Sequence, residues 1–180
     1  MYDGTAFFLD FCLQLCLNSN MNVYITGHTS GLGKELHDWF VSQGYNVEGF
    51  SKSNGYDINK DFVRILNSIP QDSLFVNNAY ADGVQENFIH ELHNKVDKMI
   101  VVGSIASRFP DDAQPKYSED KKRVEDAFYK YATHAVSPTD TRYLLLNITS
   151  SAYENPNLIK NTIRFWLDNP GVLEVGYNVT

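Results

Sequence analysis

From Met21 onward, apolar and polar residues follow two alternating rhythms. Asn22 to Thr26 (NVYIT) is a short, nearly continuous apolar run. A Gly-rich turn leads from it into Gly33 to Gln43, where Leu36, Trp39 and Phe40 recur at i, i+3 and i+4 before Gly44 stops a helix. The same alternation predicts a strand over Asn46 to Phe50, a helix over Asp61 to Ile69 ended by Pro70, and a strand over Ser73 to Val76 running into Asn77. It continues with a helix over Val84 to Lys95, a strand over Lys98 to Gly103, a helix over Tyr117 to Ala135 and a strand over Tyr143 to Ile148. A helix over Asn157 to Asp168 and a strand over Val172 to Val175 close the series. Strands that are apolar at almost every position have no wet face, so the pattern predicts a parallel sheet covered on both sides. The expected class is a doubly wound α/β fold in a single domain. The loosest stretch, Arg108 to Lys116, reads as a loop leaving the carboxyl edge of such a sheet, where ligands bind.

A length of 180 residues suffices for one well-buried core and is short for two, so ligand and chemistry must share a domain. With 43% hydrophobic and 21% charged residues the chain is a folded globular one, not a low-complexity one. Its net charge of -7 argues against an electrostatic hold on phosphate backbones or anionic membranes, so neither nucleic acid nor membrane is an expected partner. Residues 1–20 form an apolar extension to a domain spanning 21–180. Within it, AFFLDFCLQLCL (Ala6 to Leu17) is interrupted by Asp10, preceded by Asp3 where a basic segment would stand, and too short to span a bilayer. A cytoplasmic location is therefore expected. Cys12 and Cys16 fit neither a CxxC pair nor a four-ligand zinc site and read as reduced core or interface thiols. Two readings of the extension stay open: an apolar helix packed on the domain or on a second subunit, or an upstream start before Met21.

Thr26-Gly27-His28-Thr29-Ser30-Gly31-Leu32-Gly33 lies where the first strand becomes the first helix. Glycine lets the backbone turn sharply and approach a pyrophosphate, and the helix N-terminus offers unpaired N–H groups and the positive end of its dipole. The spacing TGxxxGxG resembles the short-chain dehydrogenase/reductase family, and further landmarks follow in order. Asn77-Asn78-Ala79 resembles the family's NNAG segment, with Tyr80 in place of its glycine. Ser104 follows the KMIVVG strand, and Tyr117-Ser118-Glu119-Asp120-Lys121 matches the YxxxK signature thirteen positions later. The resemblance covers Met21 to the C-terminus and implies a Rossmann fold in three layers, αβα. It further implies an NAD(P) cofactor lined by Gly27, Thr29, Ser30, Gly31, Leu32, Gly33, Asn77, Asn78 and Ala79, and catalysis by Ser104, Tyr117 and Lys121.

Those three residue types suit hydride chemistry. A hydride moving to or from a carbonyl carbon leaves charge developing on oxygen, so a proton donor or acceptor must stand at that oxygen. Tyr117 can serve, because a free phenol near pKa 10 becomes a better base beside an ammonium, and Lys121 at i+4 shares its helix face. Ser104 can donate a hydrogen bond to the same oxygen. By the resemblance, Tyr117 and Lys121 also contact the cofactor, the lysine at the nicotinamide ribose. In the run Gly49-Phe50-Ser51-Lys52-Ser53, Ser51 stands where NAD-preferring members carry an acid and Lys52 follows it. That suits a 2′-phosphate, so NADP(H) is expected over NAD(H). Asp57-Ile58 resembles the family's pair at the adenine, although it arrives six residues after Ser51 without the usual intervening helix.

Other features qualify the resemblance. The family's catalytic asparagine has no clear counterpart: Asn87 and Asn94 both fall in the predicted helix, the interval from Asn77 to Ser104 is short, and neither is assigned. Thr149 to Tyr153 replaces the usual Pro-Gly turn and covering loop, so the lid is minimal and suits a small-molecule, bulky or carrier-bound carbonyl or alcohol substrate. His90-Glu91-Leu92-His93 falls one residue short of HExxH and lacks a third ligand, so no metal is predicted. Asn147 and Asn178 open glycosylation patterns that need a secretory signal. Val124, Phe128 and Tyr131 form a stripe suited to core packing, while the same helix in the family often builds a dimer interface, which implies a homo-oligomer. The expected function is an NADP(H)-dependent carbonyl reductase or alcohol dehydrogenase. The alternative is a non-catalytic NADP(H)-binding sensor or scaffold of the same fold, favoured by trimming at both the adenine and the substrate sides.

Overall fold

The structure is a computed structural model and describes residues 21–110, 112–134, 140–149, 155–169 and 174–176. Strands and helices alternate in it without exception: β1 (Asn22–Thr26), α1 (Gly31–Ser42), β2 (Asn46–Phe50), α2 (Phe62–Ser68), β3 (Leu74–Asn77), α3 (Val84–Leu92), β4 (Lys98–Ser104), α4 (Pro115–Ala132), β5 (Arg142–Ile148), α5 (Pro156–Asp168) and β6 (Glu174–Gly176). The six strands form one parallel sheet in the order β2-β1-β3-β4-β5-β6. Alternation along each strand sends Val23 and Ile25 to one face and Tyr24 to the other. The first face is covered by Leu36 and Phe40 of α1 and Ile159, Ile163 and Trp166 of α5. The second is covered by Ile65 of α2, Phe88 and Ile89 of α3, and Val124 and Phe128 of α4. This is the expected three-layer α/β fold in a single domain, and burial on both faces accounts for the continuous apolar runs.

Differences from the expected elements are confined to their ends. Pro115 occupies the first turn of α4, where a missing N–H costs nothing, so the helix begins two residues before Tyr117. Helix α3 stops at Leu92 because the His93 ring turns back to its carbonyl neighbour, Nδ1 lying 2.6 Å from the His90 oxygen. That leaves Asn94 outside the helix. A three-residue 3₁₀ turn over 52–54, closed by a reciprocal Ser51–Asn54 capping box, fills the gap after β2. The last strand pairs Leu145 with Glu174 and ends at Gly176, later than Val172 to Val175. The expectations for Cys12, Cys16 and the rest of 1–20, for residues 150–153 of the lid, and for Asn178 lie outside the described residues. What positions a site is the strand order. The chain leaves β1 to one side to make β2 and returns to the other side to make β3, so the connections at their carboxyl ends diverge and open a crevice.

Candidate active site

The crevice begins with the turn after β1. Gly27 takes φ 73°, a left-handed conformation that its N–H uses to reach the Phe50 carbonyl at 2.7 Å. Gly33, in the first turn of α1, lies against that same residue: a Cβ placed there would stand 2.1 Å from the Gly27 carbonyl oxygen and 2.5 Å from Asn78 Nδ2. Leu32 is buried in the core, while Thr29, Ser30 and Gly31 stand exposed at the mouth. Ser30 precedes α1 without capping it through its side chain, so the helix presents its first N–H groups to the crevice. A cradle too tight for side chains, with uncapped amides and a positive dipole end, fits a pyrophosphate.

Thr26 locks β1 to the segment after β3. Its Oγ1 accepts the main-chain N–H groups of Asn78 and Ala79, each at 3.0 Å, and Asn78 Nδ2 donates to the Thr26 carbonyl at 3.0 Å. Asn77 is fully buried at the end of β3. A cleft of about 190 Å³ lies beside these segments, lined by Gly27, Ser51, Lys52, Ile58, Ala79 and Tyr80 among others. Ser51 is spent on its own turn through Ser53 and Asn54, and Ile58 is core. Lys52 is exposed, with its ammonium 3.3 Å from the Asp57 carboxylate. Asp57 is held below the usual carboxylate range, first by the Asn59 main-chain N–H and then by Lys52.

Helix α4 carries Tyr117 and Lys121, and β4 ends at Ser104. Tyr117 is half-buried in the first turn of α4, and Lys121, one turn on, is only 3% exposed. The lysine nitrogen lies 5.7 Å from the centre of the Tyr117 ring and donates to Gln85 Oε1 at 2.8 Å and to the Val102 carbonyl at 3.1 Å. Burial pulls its pKa down to about 8, with the neighbouring Asp120 charge opposing. Ser104 ends β4, buried, and accepts the Ala106 N–H at 3.2 Å, which leaves its own hydrogen to donate. The 3₁₀ turn at 105–107 packs on α4, which sets Ser104 and Tyr117 on adjoining elements. Arg108 anchors the following loop to α4 through Glu125 and the Tyr129 hydroxyl.

Three side chains unassigned from sequence belong to this arrangement. Tyr80 sets its ring 5.0 Å from that of Tyr117 and 5.6 Å from the Lys121 nitrogen, and donates its hydroxyl to Asp120 at 2.7 Å. Partial burial, then the Asp120 carboxylate, push the Tyr80 phenol up to about 12, so it stays a donor. Tyr80 also lines the cleft, so one ring contributes both to the cleft wall and to the contact with Tyr117. Asp120, buried, takes a second bond from Arg123. Gln85, also buried, reaches Lys121 from α3. Departure from the NNAG pattern marked Tyr80, whereas nothing in the sequence marks Gln85. Asn87 is exposed, and Asn94 bonds His93. His90 and His93 are occupied by Tyr131, Glu86 and a helix carbonyl. Asn147 is buried in β5, and Val124 and Phe128 are core.

No protein-family model and no curated protein matches the sequence. Solved structures do match. A serine dehydrogenase from Escherichia coli superposes with TM-score 0.67 at 16% identity, over 88% of this chain and 97% of that one. A short-chain dehydrogenase from Burkholderia cenocepacia in complex with NADP gives 0.66 at 15% identity, over 89% of each chain. A 3-alpha-hydroxysteroid dehydrogenase from a Pseudomonas species, complexed with NADH, gives 0.56 at 14% identity, over 86% of this chain and 94% of that one. At these identities the likeness is one of architecture: the chain has the short-chain dehydrogenase/reductase fold.

Proposed function

We propose that this chain is an NAD(P)-dependent oxidoreductase acting on a carbonyl or alcohol, with Tyr117 as acid and base. The observation that carries the reading is the buried Lys121 amine, 5.7 Å from the Tyr117 ring, in a fold whose first strand-to-helix turn is a glycine cradle. The nicotinamide cofactor, when bound, supplies or takes up the hydride at the carbonyl carbon. Gly27, Gly33 and the α1 amides would hold its pyrophosphate and Ala79 and Ile58 would wall the rest of the dinucleotide, while the buried Asn77 and the Thr26-bound Asn78 support that wall from behind. Tyr117 delivers or accepts the proton at the substrate oxygen. Lys121 in its ammonium form stabilises the charge that the hydroxyl acquires when it releases that proton. Ser104, its oxygen occupied by the Ala106 N–H, donates its hydrogen to the substrate oxygen and so opposes charge build-up there. NADP(H) is the preferred cofactor, because Lys52 is a cation lining the cleft and its pairing with Asp57 is solvent-exposed and so weak enough to be exchanged for a 2′-phosphate.

One observation favours a second reading, a sensor that binds the dinucleotide without turnover. Tyr80 lines the cleft and sets its ring 5.0 Å from that of Tyr117, and on this reading the ring obstructs the reactive half of a dinucleotide. The test is to follow NADPH consumption with a panel of aldehydes and ketones for wild type, Tyr117→Phe and Tyr80→Ala. The enzyme reading expects turnover that Tyr117→Phe lowers by about 100-fold or more with cofactor binding retained. Turnover equal in wild type and Tyr117→Phe would refute the mechanism. Tight NADPH binding without turnover in wild type, with activity released by Tyr80→Ala, would establish the sensor and name the ring that silences it.

A further inference from the structure

We propose that Gln85 is the positioning residue of this site, holding the Lys121 amine at the end of β4 on the Tyr117 side. The role follows from which atoms face which. Both hydrogens of the Gln85 amide are committed to main-chain carbonyls, Nε2 donating to Asn77 and to Val102 at 2.8 Å each. Carbonyl oxygens only accept, so the amide has one permitted orientation and its Oε1 must face Lys121. The Gln85 main chain is fixed in turn, since its carbonyl accepts from Asn77 Nδ2 at 2.7 Å. Asn77 ends β3 and Val102 lies within β4, so a single buried side chain ties two strands of the crevice to the lysine of α4. Of the three hydrogens on the Lys121 ammonium, two go to Gln85 and Val102. One is left for a group arriving at the crevice, and the rings of Tyr80 and Tyr117 lie 5.6 and 5.7 Å from the nitrogen. The titratable neighbours of Lys121 are Asp120 on its own helix, Tyr117 one turn earlier, and Tyr80 from the segment after β3. From α3 it meets the neutral Gln85, and from β4 the Val102 carbonyl. Gln85 is thus an acceptor that keeps a desolvated amine in place, while the Asp120 charge supports its protonation.

This role rests on the proposed function of Lys121, and its test does not require turnover. In cofactor-free protein labelled with ¹³C at lysine Cε, the Lys121 resonance, identified by its loss in Lys121→Arg, is titrated in wild type, Gln85→Glu and Gln85→Met. The glutamate adds a negative charge beside the amine, and the midpoint should rise by about one pH unit or more. The methionine keeps the shape and removes the acceptor, and the midpoint should fall. Opposite displacements are the signature of a direct partner, because a loosened fold would move both variants upward toward the ordinary lysine value. An unchanged midpoint, or displacement in one direction in both, overturns the role of Gln85 whatever the activity. In the turnover assay both variants should lose kcat with little change in substrate KM. A wild type without turnover on any carbonyl would refute the oxidoreductase reading and leave the titration result standing.

Discussion

Lys121 has a charge to keep in a place with little water, and that conflict is measurable. Its folded pKa of about 8 lies below the ordinary 10.5, because burial penalises the ammonium more than Asp120 supports it. Between those two values the unfolded chain holds a proton that the folded chain has shed, so stability rises with pH across the window. Below pH 8 the cost of burying the charged amine is present in full. The slope from this one group approaches about 1.4 kcal/mol per pH unit. Tyr45 and Tyr143, raised by burial, act in the opposite sense above pH 10, so the comparison belongs between pH 7.5 and 9.5. Urea unfolding of wild type and Lys121→Met should give a stability difference that moves in favour of wild type as pH rises. A difference flat in pH would mean that the lysine is not desolvated. That Lys121 and Tyr117 share a helix face was legible from their four-residue interval, but only the order of the surrounding motifs set the pair apart from an ordinary surface pair. Gln85 was not, because its role comes from three elements meeting over a buried amine, and a glutamine at the start of a helix looks like any surface polar residue. Tyr80 was half-legible: its place in the NNAG pattern was visible, its contact with Tyr117 was not.

At the scale of elements, the turn from β1 into α1 tolerates little change. A methyl at Gly33 would meet a main-chain oxygen at 2.1 Å, which cannot move without shifting either β1 or α1. At Gly27 the nearest obstacle is the Ala79 methyl carbon at 3.0 Å, but φ 73° adds strain of about 1–2 kcal/mol. Gly33→Ala is therefore expected to destabilise the fold more than Gly27→Ala and to abolish dinucleotide binding, with urea midpoints and NADPH titrations as the measurements. Equal midpoints for the two variants would show that α1 can slide on the sheet. These elements were legible because strands buried on both faces are apolar throughout and helices on the sheet are apolar on one stripe, two patterns that do not resemble each other. Their ends were less so. The start of α4 depends on Pro115 being accepted at a first turn, and the end of α3 on a ring reaching back to a carbonyl, local choices that periodicity does not record.

The whole molecule gathers its site from positions remote in sequence: the turn at 27–33, the segment at 51–58, the end of β3 at 77–80, and α4 at 117–121. A ligand that needs all of them binds the folded chain alone, and so reports on the assembled crevice through stability. NADPH at about 100 times its Kd should stabilise the fold by about 2.7 kcal/mol, a rise in Tm of about 5–11 °C for a chain of this size. If Lys52 reads the 2′-phosphate as proposed, Lys52→Glu should shrink the shift with NADPH and spare or enlarge the shift with NADH. Tyr117→Phe should leave both shifts intact, because it keeps the ring and removes only the hydroxyl proposed to carry the proton, no part of the cradle. A ratio of the two shifts unaltered by Lys52→Glu would remove the basis for an NADP(H) preference. Absence of any shift with either dinucleotide would refute the enzyme and the sensor together, since both require the cleft between Gly27 and Tyr80 to hold the cofactor.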